Sequence, residues 1–440
     1  MRPSRDVDRQ ILRVAVPAFF ALITEPLMLL ADTAIIGHLG TPELGGLAAA
    51  SVVLGTAVGL CVFLAYGSTA IVARHHGAGD ERTALGLAIS GLWLAVGLGV
   101  VLAVLTAGAS GPLADALSSS SRVAGFAQDY LIVSALALPA MLLILAATGA
   151  LRGVLDLRTP LIATIVANIV NVVLNLTFVY GFDWSVRGAA AGTAVAQWLA
   201  AGWLVTVVVR RARRANAATR PRTTEIIASA RLGVPLLIRT MTLRASLVLA
   251  TLVAARLGDV PLAANQVAGA VVTFLAFGLD AIAIAGQTLT GRTLGAGDAA
   301  GTRALTNRMM GWGVATGVAA AVLLAISAPW LPRLFSSDPA VQDALVPALL
   351  VVAAIQPLSG IVFVLDGVLI GAGDGAYLAW AGLLVLAAYA PLVLLVGWTD
   401  AGFTWLWIAY GGFMAARLVT LWRRQRGTAW MVLGTTRSAH

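Results

Sequence analysis

Twelve long apolar runs follow one another along the chain, separated by short stretches that hold most of its charge. They lie at about Ile11 to Gly37, Leu47 to Ala73, Ala84 to Ala107, Ala124 to Ala150, Pro160 to Gly181 and Ala189 to Val209. The second six lie at about Val234 to Ala255, Leu262 to Leu289, Leu305 to Ala328, Ala344 to Ile370, Tyr377 to Gly397 and Phe403 to Trp422. A bilayer core about 30 Å thick takes roughly 20 helical residues, so each run predicts one spanning helix. The pattern therefore predicts an all-α polytopic membrane protein with twelve transmembrane helices. Amphipathic periodicity is weak, as expected of helices that are apolar all round. The first run, behind Arg2, Arg5, Arg9 and Arg13, is too long for a cleaved signal segment and is expected to remain as the first helix.

A shift of 218 residues lays the second half of the pattern on the first without gaps. Arg13 meets Arg231, Pro17 meets Pro235, Arg74 meets Arg292, and the GAGD of Gly77 to Asp80 meets that of Gly295 to Asp298. Pro139, Gly149, Gly153 and Asp156 meet Pro357, Gly367, Gly371 and Asp374. Six spans per half is an even number, so the two six-helix lobes run in the same direction and form a parallel internal repeat about an axis along the membrane normal. The divisions expected are an N-lobe at 1–209, a basic cytoplasmic linker at 210–230, a C-lobe at 231–422 and a cytoplasmic tail at 423–440.

Composition sharpens this picture. Of 440 residues 59% are hydrophobic and 11% charged, which leaves no room for a large soluble domain. All 29 basic residues are arginine. Without lysine the chain has neither the phosphate-loop lysine of an ATP-driven pump nor a Schiff-base lysine, and no cofactor is expected. With the N-terminus inside, 23 arginines fall on the inner side, while the outer loops hold only Arg122, Arg187, Arg256 and Arg333. Both termini are thus expected in the cytoplasm and the protein in the cell (plasma) membrane, with the net charge of +9 read as topological and no nucleic acid as partner. Cys61, the single cysteine, is expected to be a small core residue.

Ionisable groups within spans are costly and point to function. None of these repeats: Glu25 and Asp32 face Leu243 and Ala250 across the repeat, and Arg239, Arg244, Asp280 and Asp366 face Ala21, Pro26, Val62 and Thr148. Glu25 and Asp32 stand two turns apart on one face of the first helix, where Pro26 permits a bend. Asn168, Asn171 and Asn175 share a face of the fifth run, and Thr193 and Gln197 stand one turn apart in the sixth. Together these oxygens could hold a proton or a hard monovalent cation; the alternative is that the amides and hydroxyl simply bond helix to helix. In the second half one arginine is expected to neutralise one or both of Asp280 and Asp366, either as a structural pair or to tune a cleft between the lobes. No catalytic constellation is present, so an enzyme is not expected.

The strings Ala31 to Gly40 (ADTAIIGHLG), Gly278 to Gln287 (GLDAIAIAGQ) and Leu365 to Asp374 (LDGVLIGAGD), with the paired GAGD turns, resemble the multidrug and toxic compound extrusion (MATE) transporters, specifically the DinF branch. The resemblance covers essentially the whole chain. It implies a two-lobe antiporter that exports amphipathic, often cationic drugs or toxic metabolites against H⁺ or Na⁺, acting as a monomer in the lipid bilayer. The family's first-helix coupling aspartate falls on Asp32, its fifth-helix N-x-x-x-D on Asn171 and Asn175, and its sixth-helix threonine on Thr193. The branch's aspartates of helices eight and ten fall on Asp280 and Asp366. Asn175 departs from the pattern, which implies that Asp32 titrates alone there with Glu25 as helper. With no metal-ligand spacing among the histidines and no cysteine beside them, no metal is expected beyond Na⁺ at Asp32. The alternatives are a flippase for lipid-linked glycan precursors, which would favour a basic cleft, and an intramembrane enzyme or sensor.

Overall fold

The computed structural model describes residues 4–435, apart from the side chains of Ser4 and Glu25. Among them there is no strand. The first half holds α1 (Ser4–Gly37), α2 (Thr41–Leu60), α3 (Phe63–Gly77), α4 (Glu81–Gly108), α5 (Ser110–Leu117), α6 (Ser121–Ala135), α7 (Leu138–Gly153), α8 (Arg158–Leu176), a π turn (Thr177–Gly181) and α9 (Ser185–Arg214). The second holds α10 (Thr223–Leu257), α11 (Asp259–Gly295), α12 (Ala299–Ser327), α13 (Leu331–Phe335), α14 (Pro339–Gly371), α15 (Gly375–Thr399) and α16 (Phe403–Arg426).

All twelve apolar runs fall in these helices. Ten spans among the described residues are long and apolar enough to cross a membrane, α2 with α3 counting as one, and α6 with α7, bent by 52°, make an eleventh. The twelfth run, α16, is 24 residues long but carries Trp405, Trp407, Tyr410, Gly411, Gly412 and Arg417, which lower its mean hydropathy below that of the others.

The repeat is visible in the helix ends. Adding 218 to Thr41, Gly77, Glu81, Ser121, Gly153 and Ser185 gives the ends Asp259, Gly295, Ala299, Pro339, Gly371 and Phe403. The turns between them use the same chemistry. Asp80 caps α4 by accepting from the Thr83 N–H (3.0 Å), as Asp298 caps α12 by accepting from that of Gly301 (2.7 Å). The bonds from Thr83 hold the Asp80 carboxyl below its usual range. Asp156 and Asp374, at the start of α8 and α15, pair with Arg211 and Arg424 at the far ends of α9 and α16.

Two compact units emerge: one is Phe20–Gly233, the other the described chain up to Phe19 together with that from Val234 onward. Within each, small residues let backbones meet. A Cβ on Gly149 would strike the backbone of Ala65, and one on Gly367 that of Ala283; Gly99 and Gly317 meet Pro139 and Pro357 in the same way. The halves differ at the bend. Where α6 breaks from α7, the Leu136 carbonyl is freed and accepts from the Trp198 indole (2.9 Å). The corresponding residue of the other half is Ala416, with no donor, and α14 runs unbroken through Pro347 and Pro357.

α9 continues to Arg214 and α10 begins at Thr223, so the stretch between the halves is narrower than the sequence pattern suggests. Past α16 the chain folds back on its own unit. Trp430 is fully buried and donates to the Gln425 carbonyl (2.9 Å), and the Gly434 N–H donates to that of Leu294 (3.0 Å). Arg437 and His440 lie outside the described residues.

Candidate functional site

In the unit Phe20–Gly233, α1 continues through Pro26 to Gly37 and carries Asp32, which is 3% exposed. Apolar helices alone could not hold a carboxylate there; polar side chains are needed, and α8 and α9 supply them. Asn171 and Asn175, one turn apart, are both 0% exposed. Asn175 Nδ2 donates to Asp32 Oδ1 (2.7 Å) and reaches Asn171 Oδ1 (3.4 Å), while Asn171 Nδ2 donates to Thr193 Oγ1 on α9 (2.8 Å). Among the described residues Asp32 has no ion pair. Its hydrogen-bond partner is a neutral amide, which a chain of bonds joins through Asn171 to Thr193.

Asn168 stands apart from this cluster: half-buried, it donates to the Thr24 carbonyl of α1 (2.7 Å), joining helix to helix. Glu25 shares its helix with Asp32, but its side chain lies outside the described ones. Three features were not singled out from the sequence. Tyr130, buried on α6, lies close enough to Asp32 and Thr193 for both to act on its phenol. The π turn after α8 holds Tyr180, whose hydroxyl donates to the Ile35 carbonyl, one turn past Asp32 (2.6 Å). Gly192, next to Thr193, lies against Asn175. The signal for the last was present, since Gly188 and Gly192 form a small-xxx-small pair.

The other unit has a different cluster. Arg239 of α10 grips Asp366 of α14 with two bonds, Nε to Oδ1 at 3.0 Å and a second from its terminal nitrogen to Oδ2. Arg417 of α16 reaches the same Oδ2 at 3.4 Å, and its guanidinium lies 5.8 Å from the ring centre of Phe363 and 5.7 Å from that of Phe413. Asp280 of α11 acts on Arg417 electrostatically. Arg244, expected as a partner here, is exposed on α10. Five residues from Arg239, it faces another way on the helix, and Arg417, grouped in the sequence with the arginines of the inner side, takes that place instead. Thus Asp32 is bare of countercharge and Asp366 has two.

The MatE family model matches residues 17–177 and 235–396, one match in each half. The chain belongs to the MatE family. It resembles the DNA damage-inducible protein F of Escherichia coli, with 30% identity over 442 residues covering 96% of this chain and 94% of that one. It is also 28% identical to the protein DETOXIFICATION 45, chloroplastic, of Arabidopsis thaliana, covering 95% of this chain and 79% of the other. Among solved structures, a MATE in the bent conformation matches with a TM-score of 0.89 at 21% identity, over 97% of this chain and 96% of that one. A MOP superfamily transporter from Pyrococcus furiosus matches with a TM-score of 0.88 at 20% identity, over 96% of each chain. The MatE relatives are membrane transporters, some named as probable multidrug resistance proteins, and this chain is a membrane protein of that kind.

Proposed function

We propose that this MatE protein is a cation-coupled antiporter that exports amphipathic, often cationic small molecules by alternating access, with Asp32 as the group that takes up H⁺ or Na⁺. The observation that supports this most is the contrast between the two buried acids. Asp32 is held by the neutral Asn175 amide, whereas Asp366 is fixed by Arg239 and Arg417. A carboxylate without a countercharge in a low-dielectric site changes its interactions strongly when a cation arrives, and the oxygens of Asn171 and Thr193, joined to it through the Asn175 amide, would add oxygen ligands for a proton or a hard monovalent cation. Cation binding would relieve the pull of Asp32 on the Asn175 amide and so couple occupancy to the packing of α1 against α8 and α9. Asp366, with its charge balanced, serves the second lobe as a structural anchor.

Dye efflux from proteoliposomes, with pH and Na⁺ gradients imposed separately, tests the reading. One gradient should drive efflux by the native protein, and Asp32→Asn should reduce it to the leak of protein-free liposomes while the variant stays folded. Undiminished gradient-driven efflux by Asp32→Asn would remove Asp32 from the coupling role.

A further inference from the structure

Gly192 of α9 presents its bare Cα to the Asn175 side chain. A Cβ at residue 192 would overlap Asn175 Oδ1 and would lie 3.2 Å from its Cγ and 3.0 Å from its backbone nitrogen. That Oδ1 is buried and has no hydrogen-bond partner. The other end of the same amide donates to Asp32. An amide can present either its donor or its acceptor end to a neighbour. Here the acceptor end is turned to a glycine and left unsatisfied, which costs free energy that the bond to the carboxylate offsets.

We propose that Gly192 is a positioning residue for Asp32: by leaving room for Asn175 Oδ1 it keeps the amide nitrogen against the carboxylate and thereby sets the proton affinity of the site. The proposal rests on the reading of Asp32 as the coupling group. A donor on the carboxylate favours its ionised form. Losing it raises the affinity for a proton, and a single hydrogen bond of ordinary worth corresponds to about a tenfold change. The other groups around Asp32 stay the same in every variant compared. They are Tyr130 of α6, Thr193 of α9 and Tyr180 of the π turn; Glu25, on α1 itself, stands two turns before Asp32 along the helix, and Arg187 at the start of α9 pairs with Asp129 of α6.

Gly188, one turn earlier, supplies the control. A Cβ there would press first on the π-turn backbone at Phe178, 2.8 Å from its carbonyl carbon, and next on Trp184. The readout is the infrared band of the protonated carboxyl in the purified full-length protein, assigned to Asp32 by its absence in Asp32→Asn and titrated with pH. Gly192→Ala and Asn175→Ala should both raise the midpoint, by about tenfold in proton affinity. Gly188→Ala should not move it, and Asn175→Ala combined with Gly192→Ala should match Asn175→Ala alone. An equal shift in Gly188→Ala, or none in Gly192→Ala or Asn175→Ala, overturns the proposal. If Gly192→Ala does not fold, the double variant decides: recovered folding supports a collision with the side chain, and continued failure assigns Gly192 to backbone packing and overturns it. The titration is independent of transport, so Asp32→Asn protein that still exports would overturn the coupling role while leaving the titration result standing.

Discussion

Asp32 and Asp366 are 3% and 7% exposed, and substitution should separate them. Asp366→Asn leaves the guanidiniums of Arg239 and Arg417 buried with their shared anion gone. Breaking a buried pair in this way costs about 3–5 kcal/mol, so the variant should unfold at markedly lower temperature in detergent. Asp32→Asn removes a charge that has no partner and should cost no more than about 1 kcal/mol, since the new amide can still accept from Asn175. Equal losses of thermal stability in the two variants would show that Asp32 is as structural as Asp366. Asp32, Asn171, Asn175 and Thr193 were legible because polar residues are rare in apolar runs and helical spacing puts them on shared faces. Arg417 and Tyr130 were not. Arg417 lies close to the arginines that end α16, and a tyrosine in a span reads as apolar filler until the fold brings a carboxylate near it.

Each helix owes its existence to an apolar run, and its contacts to a few positions where side chains are missing. Gly149 and Gly367 take the backbones of Ala65 and Ala283, and because these notches recur at the same offset they belong to the frame common to both halves. Gly86, inside α4, has nothing within 4 Å of where its Cβ would stand. Gly367→Ala should therefore destabilise the protein by about 1–3 kcal/mol through overpacking, while Gly86→Ala should be neutral or stabilise by up to about 1 kcal/mol through helix propensity. Thermal unfolding of both in the same detergent checks this; a stable Gly367→Ala would mean that α11 and α14 can part at no cost. Glycine and proline coincidences marked these contacts in the sequence, but not the break at Leu136. That break depends on Trp198, 62 residues away, finding the freed carbonyl, which no local pattern records. The π turn that brings Tyr180 to Ile35 was hidden for the same reason.

At the scale of the molecule, the offset of 218 residues predicts two halves, and the compact units follow them except at two places. α1 and α10 each pass from one unit to the other, at Phe19 and Phe20 and at Gly233 and Val234, close to Pro17 and Pro235. Their first turns are held reciprocally. Asp8 accepts from Arg308 (2.6 Å) and Trp312 (2.8 Å) in one unit, and Glu225 accepts from Ser90 (2.8 Å) in the other, with residues 90 and 308 related by the repeat. A long helix gives no sign in its sequence of where it changes partners, so this exchange was not legible. The excess of arginine beside these helix starts predicts that they lie on the cytoplasmic side. We expect Ser119→Cys, between α5 and α6 in a Cys61→Ser background, to react with a membrane-impermeant maleimide in intact cells, and Arg220→Cys to react only after permeabilisation. Thr428→Cys, just past α16, decides the span count. If α16 crosses despite its aromatic and glycine content, the total is even and Thr428→Cys is protected in intact cells like Arg220→Cys. Labelling of Thr428→Cys from outside would leave eleven crossings, place the two ends on opposite sides, and break the even count on which the parallel repeat rests.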